Sequence, residues 1–130
     1  MGRAVIFDST FFVTLHRELQ RGVVGSAQTF LRDHADEVPG MSEITRAELA
    51  RGFTSRSTWT EFCDRFVIFP FNDDVARQAA LIFTDLRRRG LPTGENDLWI
   101  AATAIAADET LVTRNTKHFQ SIKGLRLVSH

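Results

Sequence analysis

The chain has 130 residues, in which sixteen basic and sixteen acidic side chains cancel. A chain of this length can bury a core of its own, so we expect a single domain over residues 1–130. The balanced charge excludes attraction to nucleic acid through net charge alone, and the lone Cys63 excludes an intramolecular disulfide. No apolar run reaches the roughly 18 residues of a membrane span, and we expect no signal peptide before Val5. The sequence therefore predicts a soluble cytoplasmic protein.

The first half of the chain alternates short apolar runs with amphipathic helices. An apolar run over residues 3–7 stops at Asp8, and a run of this length is typical of a strand covered on both faces. A helix capped by Ser9 or Thr10 is expected to follow and to end near Gly22. The other elements predicted here are a helix over 23–35, a connection or edge strand over 38–41, and helices over 42–52 and 58–66.

The second half continues this alternation. Asn72 or Asp73 is expected to cap one helix, and Thr93 or Asn96 to cap another that is nearly all apolar from residue 98 to 107. A helix that is apolar all round is usually buried. The strands predicted in this half are 66–69, 110–113 and a last edge strand over 125–128.

Strands alternate with helices throughout, so the predicted fold class is α/β with a mainly parallel sheet. In such a sheet the carboxyl ends of the central strands open into one crevice, where ligands bind. Asp8 follows the first strand and Asn115 follows the strand over 110–113, so both are expected at this edge. Glu48 on the apolar side of its helix, and Asp97 in the first turn of the apolar helix, can be brought alongside.

Carboxylates that are packed together repel one another, and a divalent cation relieves that repulsion. Mg²⁺ takes oxygen ligands and usually keeps waters for substrate phosphates. Asp8, Glu48 and Asp97 together therefore suit metal-assisted phosphodiester hydrolysis. Taken singly, each residue also has a simpler interpretation. Asp8 and Asn115 can be turn residues, Asp97 a helix cap, and Glu48 the partner of Arg51 in a surface ion pair.

Four segments carry a resemblance to a known family. They occur in the order found in PIN-domain ribonucleases, and the chain resembles the VapC-type toxins of bacterial toxin–antitoxin pairs. The resemblance implies a three-layer α/β/α sandwich around a parallel sheet, and an endoribonuclease that depends on Mg²⁺ or Mn²⁺. The segments are VIFDST at 5–10, SEITRAELARG at 42–52, NDLWIAATA at 96–104 and LVTRNTKHF at 111–119.

By this resemblance Asp8, Glu48 and Asp97 are the catalytic acids and the metal ligands. In the expected mechanism Glu48, or a metal-bound hydroxide that it orients, supplies the attacking water in line. Many family members have Asp where this chain has Asn115. Asn115 is therefore a possible further ligand, which offers a carbonyl oxygen without a charge. Ser9 also stands where the family usually has Thr, a change that keeps the hydroxyl.

The resemblance also implies an RNA substrate, a cognate antitoxin and a homodimer. Arg114 and Lys117 would neutralise neighbouring phosphates of the RNA. The arginines at 87–89 can extend this phosphate-binding surface. Alternatively they are solvated residues at the end of a helix, where the helix dipole favours positive charge.

Two other functions are compatible with these residues. One is a PIN-like protein that binds RNA or a partner without cleaving, which Asn115 favours. The other is a phosphotransferase with Asp8 as nucleophile, as in haloacid-dehalogenase-like folds, although those carry a second Asp where Thr10 stands. Metal-dependent RNA cleavage would identify the nuclease, and covalent phosphate on Asp8 would identify the phosphotransferase.

Overall fold

The computed structural model describes residues 3–130 and contains a five-stranded sheet in the order β3-β2-β1-β4-β5. Every neighbouring pair of strands runs parallel. The strands are β1 (Ala4–Phe7), β2 (Val38–Ser42), β3 (Val67–Phe69), β4 (Thr110–Thr113) and β5 (Leu127–Ser129). The helices are α1 (Ser9–Arg21), α2 (Ser26–Asp33), α3 (Glu43–Ala50), α4 (Arg56–Cys63), α5 (Asp73–Arg88), α6 (Glu95–Ala106) and α7 (Thr116–Phe119).

Two separate hydrophobic cores lie on the two faces of this sheet. Ile6 and Leu111 point to one face, where they pack against α5 and α6. Val5, Phe7 and Val112 point to the other face, where they pack against α1, α2 and α4. Because alternate residues of β1 and β4 enter opposite cores, both strands are apolar at consecutive positions. The predicted α/β/α sandwich with a parallel sheet is confirmed.

The α6 helix is buried as its composition predicts, with six buried residues from Leu98 to Ala104. Its start differs from the prediction that Thr93 or Asn96 caps it. The N-cap is Gly94, and no side chain within residues 3–130 caps this end. Asn96 lies inside the first turn, and its side-chain amide is directed to a partner on α3. Among the described residues, no helix combines the length and apolar character needed to cross a membrane.

The α1 helix is capped by Asp8 rather than by the predicted Ser9 or Thr10. The strand β1 ends at Phe7 and the helix begins at Ser9, so Asp8 is the only residue between them. Its side chain accepts a hydrogen bond from the Phe11 backbone N–H. The predicted stop at Gly22 is confirmed, since Gly22 closes the helix with a left-handed φ of 66°. The predicted cap of α5 by Asn72 is also confirmed.

The prediction of a connection or edge strand over 38–41 is wrong, because β2 is an inner strand paired with both β1 and β3. Pro39 lacks a backbone donor, and proline is usually confined to sheet edges. Pairing on both sides offsets the missing bond. Gly40 then allows a close approach, because a Cβ at this position would lie 2.6 Å from the Phe69 ring.

The α2 helix is shorter than the predicted span of 23–35. Val24 precedes it and is 71% exposed. The helix begins after Gly25, where the buried Glu18 carboxylate of α1 accepts hydrogen bonds from the backbone N–H groups of Gly25, Ala27 and Gln28 at 2.9–3.1 Å. A side chain from the preceding helix therefore serves as the cap, which local sequence rules do not anticipate. The helix α4 likewise ends at Cys63, before the predicted 66.

Replacing Glu18 with Gln is expected to lower the free energy of unfolding by about 1–2 kcal/mol at neutral pH, because bonds to a charged acceptor are stronger. Burial opposes ionisation of Glu18, but hydrogen bonds from Ala27, Gln28 and Gly25 outweigh it and hold the pKa of this carboxyl below its ordinary value. Since the folded-state pKa is lowered, the stabilisation is complete above the unfolded pKa and is lost as the pH falls through the folded value.

Urea unfolding at neutral and acid pH measures this change in the free energy of unfolding. The exposed Glu61→Gln variant is the control, and equal losses in both variants would contradict the capping role.

Candidate active site

Asp8 occupies the carboxyl end of β1 and is 5% exposed. Its Oδ2 accepts a hydrogen bond from the Thr113 hydroxyl at 2.5 Å, and its Oδ1 accepts one from the Phe11 N–H at 3.4 Å. The Thr113 hydroxyl in turn accepts from the backbone N–H of Asn115 at 3.0 Å. Because β1 and β4 are adjacent and parallel, their ends place this chain of contacts at one edge of the sheet. The Asp8 carboxylate is therefore held in a fixed orientation.

Glu48 projects from α3 towards the first turn of α6. Its Oε2 accepts a hydrogen bond from the Asn96 side-chain amide at 3.1 Å, so its partner is Asn96 rather than Arg51. Its Oε1 is buried and makes no hydrogen bond to any residue in the described part of the chain. A buried carboxylate oxygen without a partner is costly. This oxygen is therefore available to a ligand or water.

Asp97 lies beside Asn96 in the first turn of α6, with its side chain 31% exposed. Its Oδ2 is 3.3 Å from the His118 Nδ1, and it does not act as the cap of its own helix. Partial burial raises the pKa of Asp97, the neighbouring His118 opposes this, and the negative charge of Asp8 adds to the increase. The effect of Asp8 on Asp97 indicates that the two carboxylates are close enough to repel each other.

The three acids predicted for the site thus surround one edge of the sheet, but their side chains do not converge. Within residues 3–130, no three His, Cys, Asp or Glu side chains form a preorganised metal-binding group. Two observations nevertheless fit a cation at this edge. The Glu48 Oε1 lacks a partner, and the charge of Asp8 adds to the increase that burial causes in the pKa of Asp97. Hard oxygen donors of this kind suit Mg²⁺ or Mn²⁺.

The polar segment after β4 leads into the short helix α7, which was not predicted. Asn115 is the N-cap residue, and within the described chain its side chain makes no capping hydrogen bond. Arg114, Asn115 and Lys117 are all exposed. Phe119 is 1% exposed and anchors the helix in the core. The basic side chains are therefore presented to solvent from a segment that is fixed beside Asp8.

His130, which follows β5, enters the same region. Its side chain is 5% exposed, and its ring packs edge-on against Phe11 and Phe30. The Nε2 lies 4.0 Å from the Asp8 Oδ1, which is too long for a hydrogen bond. Burial lowers the pKa of His130, while Asp8 opposes this and Arg114 adds to it. The imidazole is therefore a buried neighbour of Asp8.

Two clefts of similar size open on the surface. One, of about 410 Å³, is lined by Asp97 but by neither Asp8 nor Glu48. The other, of about 420 Å³, lies between α1 and α4 and contains none of the three acids. The first cleft is also lined by Thr93, Gly94, Lys117 and His118.

The arginines at 87–89 are exposed, but Arg89 has structural contacts. Its guanidinium pairs with Asp85 at 2.7 Å and also donates to the Ser121 carbonyl. These contacts connect the end of α5 to the segment after α7. For Arg89 these contacts favour a structural role over a role in binding RNA phosphates.

Sequence reasoning missed four residues at this site. Thr113 and Asn96 stand next to predicted elements, and their polar side chains at a strand end and a helix start were a usable signal. His118 lies within the segment LVTRNTKHF, but no role at the site was predicted for it. His130 gives no local signal, because its contact with Asp8 depends on the tertiary fold.

The comparisons with known proteins identify the family of this chain. The family model described as PIN domain matches residues 5–125. Ribonuclease VapC2 of Rickettsia felis is 36% identical over 94 residues, covering 67% of this chain and 70% of the relative. Ribonuclease VapC1 of Methanocaldococcus jannaschii is 30% identical over 105 residues, covering 75% and 77%.

A solved structure of VapBC2 from Rickettsia felis, bound to a DNA fragment from its promoter, contains a similar chain. It superimposes with a TM-score of 0.80 at 27% identity and covers 98% of both chains. This similarity extends over the whole sheet and its flanking helices. The chain therefore belongs to the PIN-domain family, and the predicted resemblance to its VapC-type members is confirmed.

Proposed function

We propose that this chain is a metal-dependent endoribonuclease that acts in the cytoplasm as the toxin of a toxin–antitoxin pair. The observation that carries the proposal is the position of Asp8, Glu48 and Asp97 around one edge of the sheet, with the Glu48 Oε1 buried and unpaired within the described residues. Two relatives that are 36% and 30% identical to this chain are VapC ribonucleases by name. Both lines of evidence support phosphodiester hydrolysis of RNA.

Asp8, Asp97 and Glu48 would hold Mg²⁺ or Mn²⁺, with the Asn115 side-chain oxygen as a further candidate ligand. The chemistry that such a cation would supply is stabilisation of the negative charge on the phosphate during hydrolysis. Asp8 is fixed for this role by the Thr113 hydroxyl. The charge of Asp8 adds to the raised pKa of Asp97, and a bound cation would offset this effect.

Glu48 is the candidate for handling the attacking water. The Asn96 amide holds one of its oxygens, which leaves Oε1 free to accept a hydrogen bond from a water and then its proton. Arg114 and Lys117 are exposed next to the acidic edge and would neutralise flanking RNA phosphates. This division of roles separates proton transfer from substrate binding.

The toxin role requires an antitoxin, and the solved Rickettsia felis assembly is named VapBC2. We infer that the antitoxin of this chain covers the cleft beside Asp97 and presents a basic side chain to the carboxylates, which would block RNA. A homodimer is part of the same proposal. Isolation from cells with a small tightly bound protein is the expected result.

A second candidate is RNA or partner binding without cleavage. It is favoured by the neutral Asn115 and by the absence, within residues 3–130, of three acidic, His or Cys side chains that converge on a metal. The phosphotransferase alternative loses its basis, because the family match is to PIN domains. Both Asp8 oxygens also already accept hydrogen bonds from Thr113 and Phe11.

Purified protein incubated with total RNA tests the proposal. We expect discrete cuts with Mg²⁺ or Mn²⁺, no cuts in EDTA, and recovery when the metal is restored. Mapping the ends of the fragments identifies the target and the cut position. Retardation of RNA on a gel without new ends, at every metal concentration, would support binding alone and overturn the nuclease proposal.

A further inference from the structure

The cleft that is lined by Asp97 has an apolar floor and a polar rim. Leu86 at the end of α5 and Ile122 after α7 form the floor, with exposures of 3% and 6%. The rim includes Lys117 and His118, both from α7. The volume of about 410 Å³ falls within the roughly 300–1,000 Å³ that is typical of small-ligand sites. The cleft therefore suits a small molecule that has both apolar and charged parts.

His118 offers this cleft an aromatic surface. Its side chain is 61% exposed, and its Nδ1 lies 3.3 Å from the Asp97 Oδ2. The contact with Asp97 restrains the ring, while much of the ring surface stays open to solvent. Histidine is one of the side chains on which unstacked RNA bases stack. A base that enters the cleft can therefore pack on the imidazole and on the apolar floor.

Two further groups suit the polar parts of a nucleotide. Thr93 lines the cleft, and its hydroxyl oxygen has no hydrogen-bond partner within residues 3–130. A ligand or a water is expected to supply that partner, because buried polar groups are rarely left unpaired. Lys117 is exposed and positively charged, so its ammonium can neutralise a phosphate. The negative charge of Asp97 disfavours a phosphate beside its own carboxylate, so we expect the phosphate at Lys117.

We propose that this cleft binds one unstacked nucleotide of the substrate RNA, next to the phosphate that is cut. The inference rests on the proposed nuclease function and adds the residues that would select this nucleotide. The base packs on His118 and on the apolar floor, while Lys117 binds the phosphate. Of the three acids only Asp97 lines the cleft, and this places the nucleotide beside the proposed site of cleavage. The other cleft, between α1 and α4, contains none of the acids.

Nuclear magnetic resonance titrations of the whole chain in EDTA test the assignment without measuring cleavage. The probes are the four common nucleoside 5′-monophosphates, with ribose 5-phosphate as the probe that lacks a base. We expect at least one nucleotide to bind about tenfold more tightly than ribose 5-phosphate, because stacking of a base contributes this much. Methyl protons of Leu86 and Ile122 should show nuclear Overhauser effects to the bound base. Equal affinity for ribose 5-phosphate, or a bound base without these effects, would overturn the proposal.

Substitutions at His118 separate stacking from a structural role. His118→Ala should weaken nucleotide binding about tenfold and change ribose 5-phosphate binding less than about twofold. His118→Phe keeps a ring and should retain nucleotide binding, although it loses the contact with Asp97. If His118→Ala weakens both probes equally, or if His118→Phe is as defective as His118→Ala, the base does not stack on this ring and the proposal is wrong.

Substitution of Lys117 tests the phosphate contact. Lys117→Gln should weaken the nucleotides and ribose 5-phosphate by the same factor, since both probes carry the phosphate. Lys123→Gln is the matched control, because Lys123 is a lysine with 75% side-chain exposure that does not line the cleft. It should change neither affinity. Equal losses in the two lysine variants would indicate attraction to net charge alone and would count against the site.

Failure of this nucleotide site can be distinguished from failure of the proposed function. RNA cleavage by a chain whose cleft binds no nucleotide would overturn the nucleotide site and leave the nuclease intact. Nucleotide binding in the cleft without cleavage in any divalent metal would support the site and overturn the nuclease. If the resonances of the cleft respond to a co-purified antitoxin but to no nucleotide, the cleft is a partner site and the proposal is wrong.

Discussion

Replacing Asp97 with Asn should reduce RNA cleavage about 100-fold or more while leaving the fold intact. The change keeps the size of the side chain and a carbonyl oxygen that can face His118, but it removes a negative charge beside Asp8. Partners that merely orient metal ligands contribute about 10–100-fold, so loss of a ligand charge should cost at least the upper value. Induction of the unmodified chain alone should arrest bacterial growth, and the variant should not.

Stability measurements separate this role from a structural one. Burial and the charge of Asp8 raise the pKa of Asp97, so its ionised form is disfavoured in the fold, and Asp97→Asn should melt at or slightly above the unmodified protein without metal. Asp74→Asn is the matched control, because Asp74 is an exposed acid in the first turn of α5. Equal toxicity of Asp97→Asn at an equal protein level would refute the catalytic assignment.

The layer structure could be predicted from sequence because it depends on local patterns. The apolar runs of β1 and β4 indicated strands covered on both faces, and the two cores explain them residue by residue, with Ile6 and Leu111 on one side and Val5 and Val112 on the other. The apolar composition of α6 likewise predicted that this helix is buried. Each of these signals is carried by neighbouring residues, whose periodicity is visible without the fold.

The features that sequence could not supply depend on pairs that are far apart in the chain. The Thr113 hydroxyl contacts Asp8 across 105 positions, and the Asn96 amide contacts Glu48 across 48. Both contacts follow from strand order and helix packing, which periodicity does not encode. Two caps were misassigned for a related reason. Asp8 serves both as a cap and as a site residue, while the polar side chain of Asn96 is used elsewhere.

Strand order also explains the error at β2. A proline is locally a signal for an edge, since it removes one backbone donor. In the folded protein Pro39 is opposite Val5 in an inner strand, where burial on both faces outweighs one missing bond. Local rules estimate the cost of the missing donor, but they do not register the stabilisation from the neighbouring strands.

Asn115→Asp should change stability in opposite directions with and without metal. Asn115 is connected to Asp8 through Thr113, which accepts from the Asn115 N–H and donates to the Asp8 carboxylate. Without metal, an added carboxylate joins acids that already repel one another, so the melting temperature should fall. The helix-dipole benefit at α7 is small, because that helix has four residues. With Mg²⁺, a fourth charged oxygen should tighten binding at least about tenfold, which corresponds to roughly 1.4 kcal/mol.

Thermal melts across a Mg²⁺ titration measure both signs in one experiment, with EDTA as the metal-free end point. Asn72→Asp is the matched control, because Asn72 caps α5 through Val75 and Asp caps a helix about as well as Asn. Its curve should run parallel to that of the unmodified protein. The Asn115→Asp curve should begin below it in EDTA and rise more steeply with Mg²⁺. If the Asn115→Asp curve also runs parallel, its side chain does not face the cation, and the metal is held by Asp8, Glu48 and Asp97 without it.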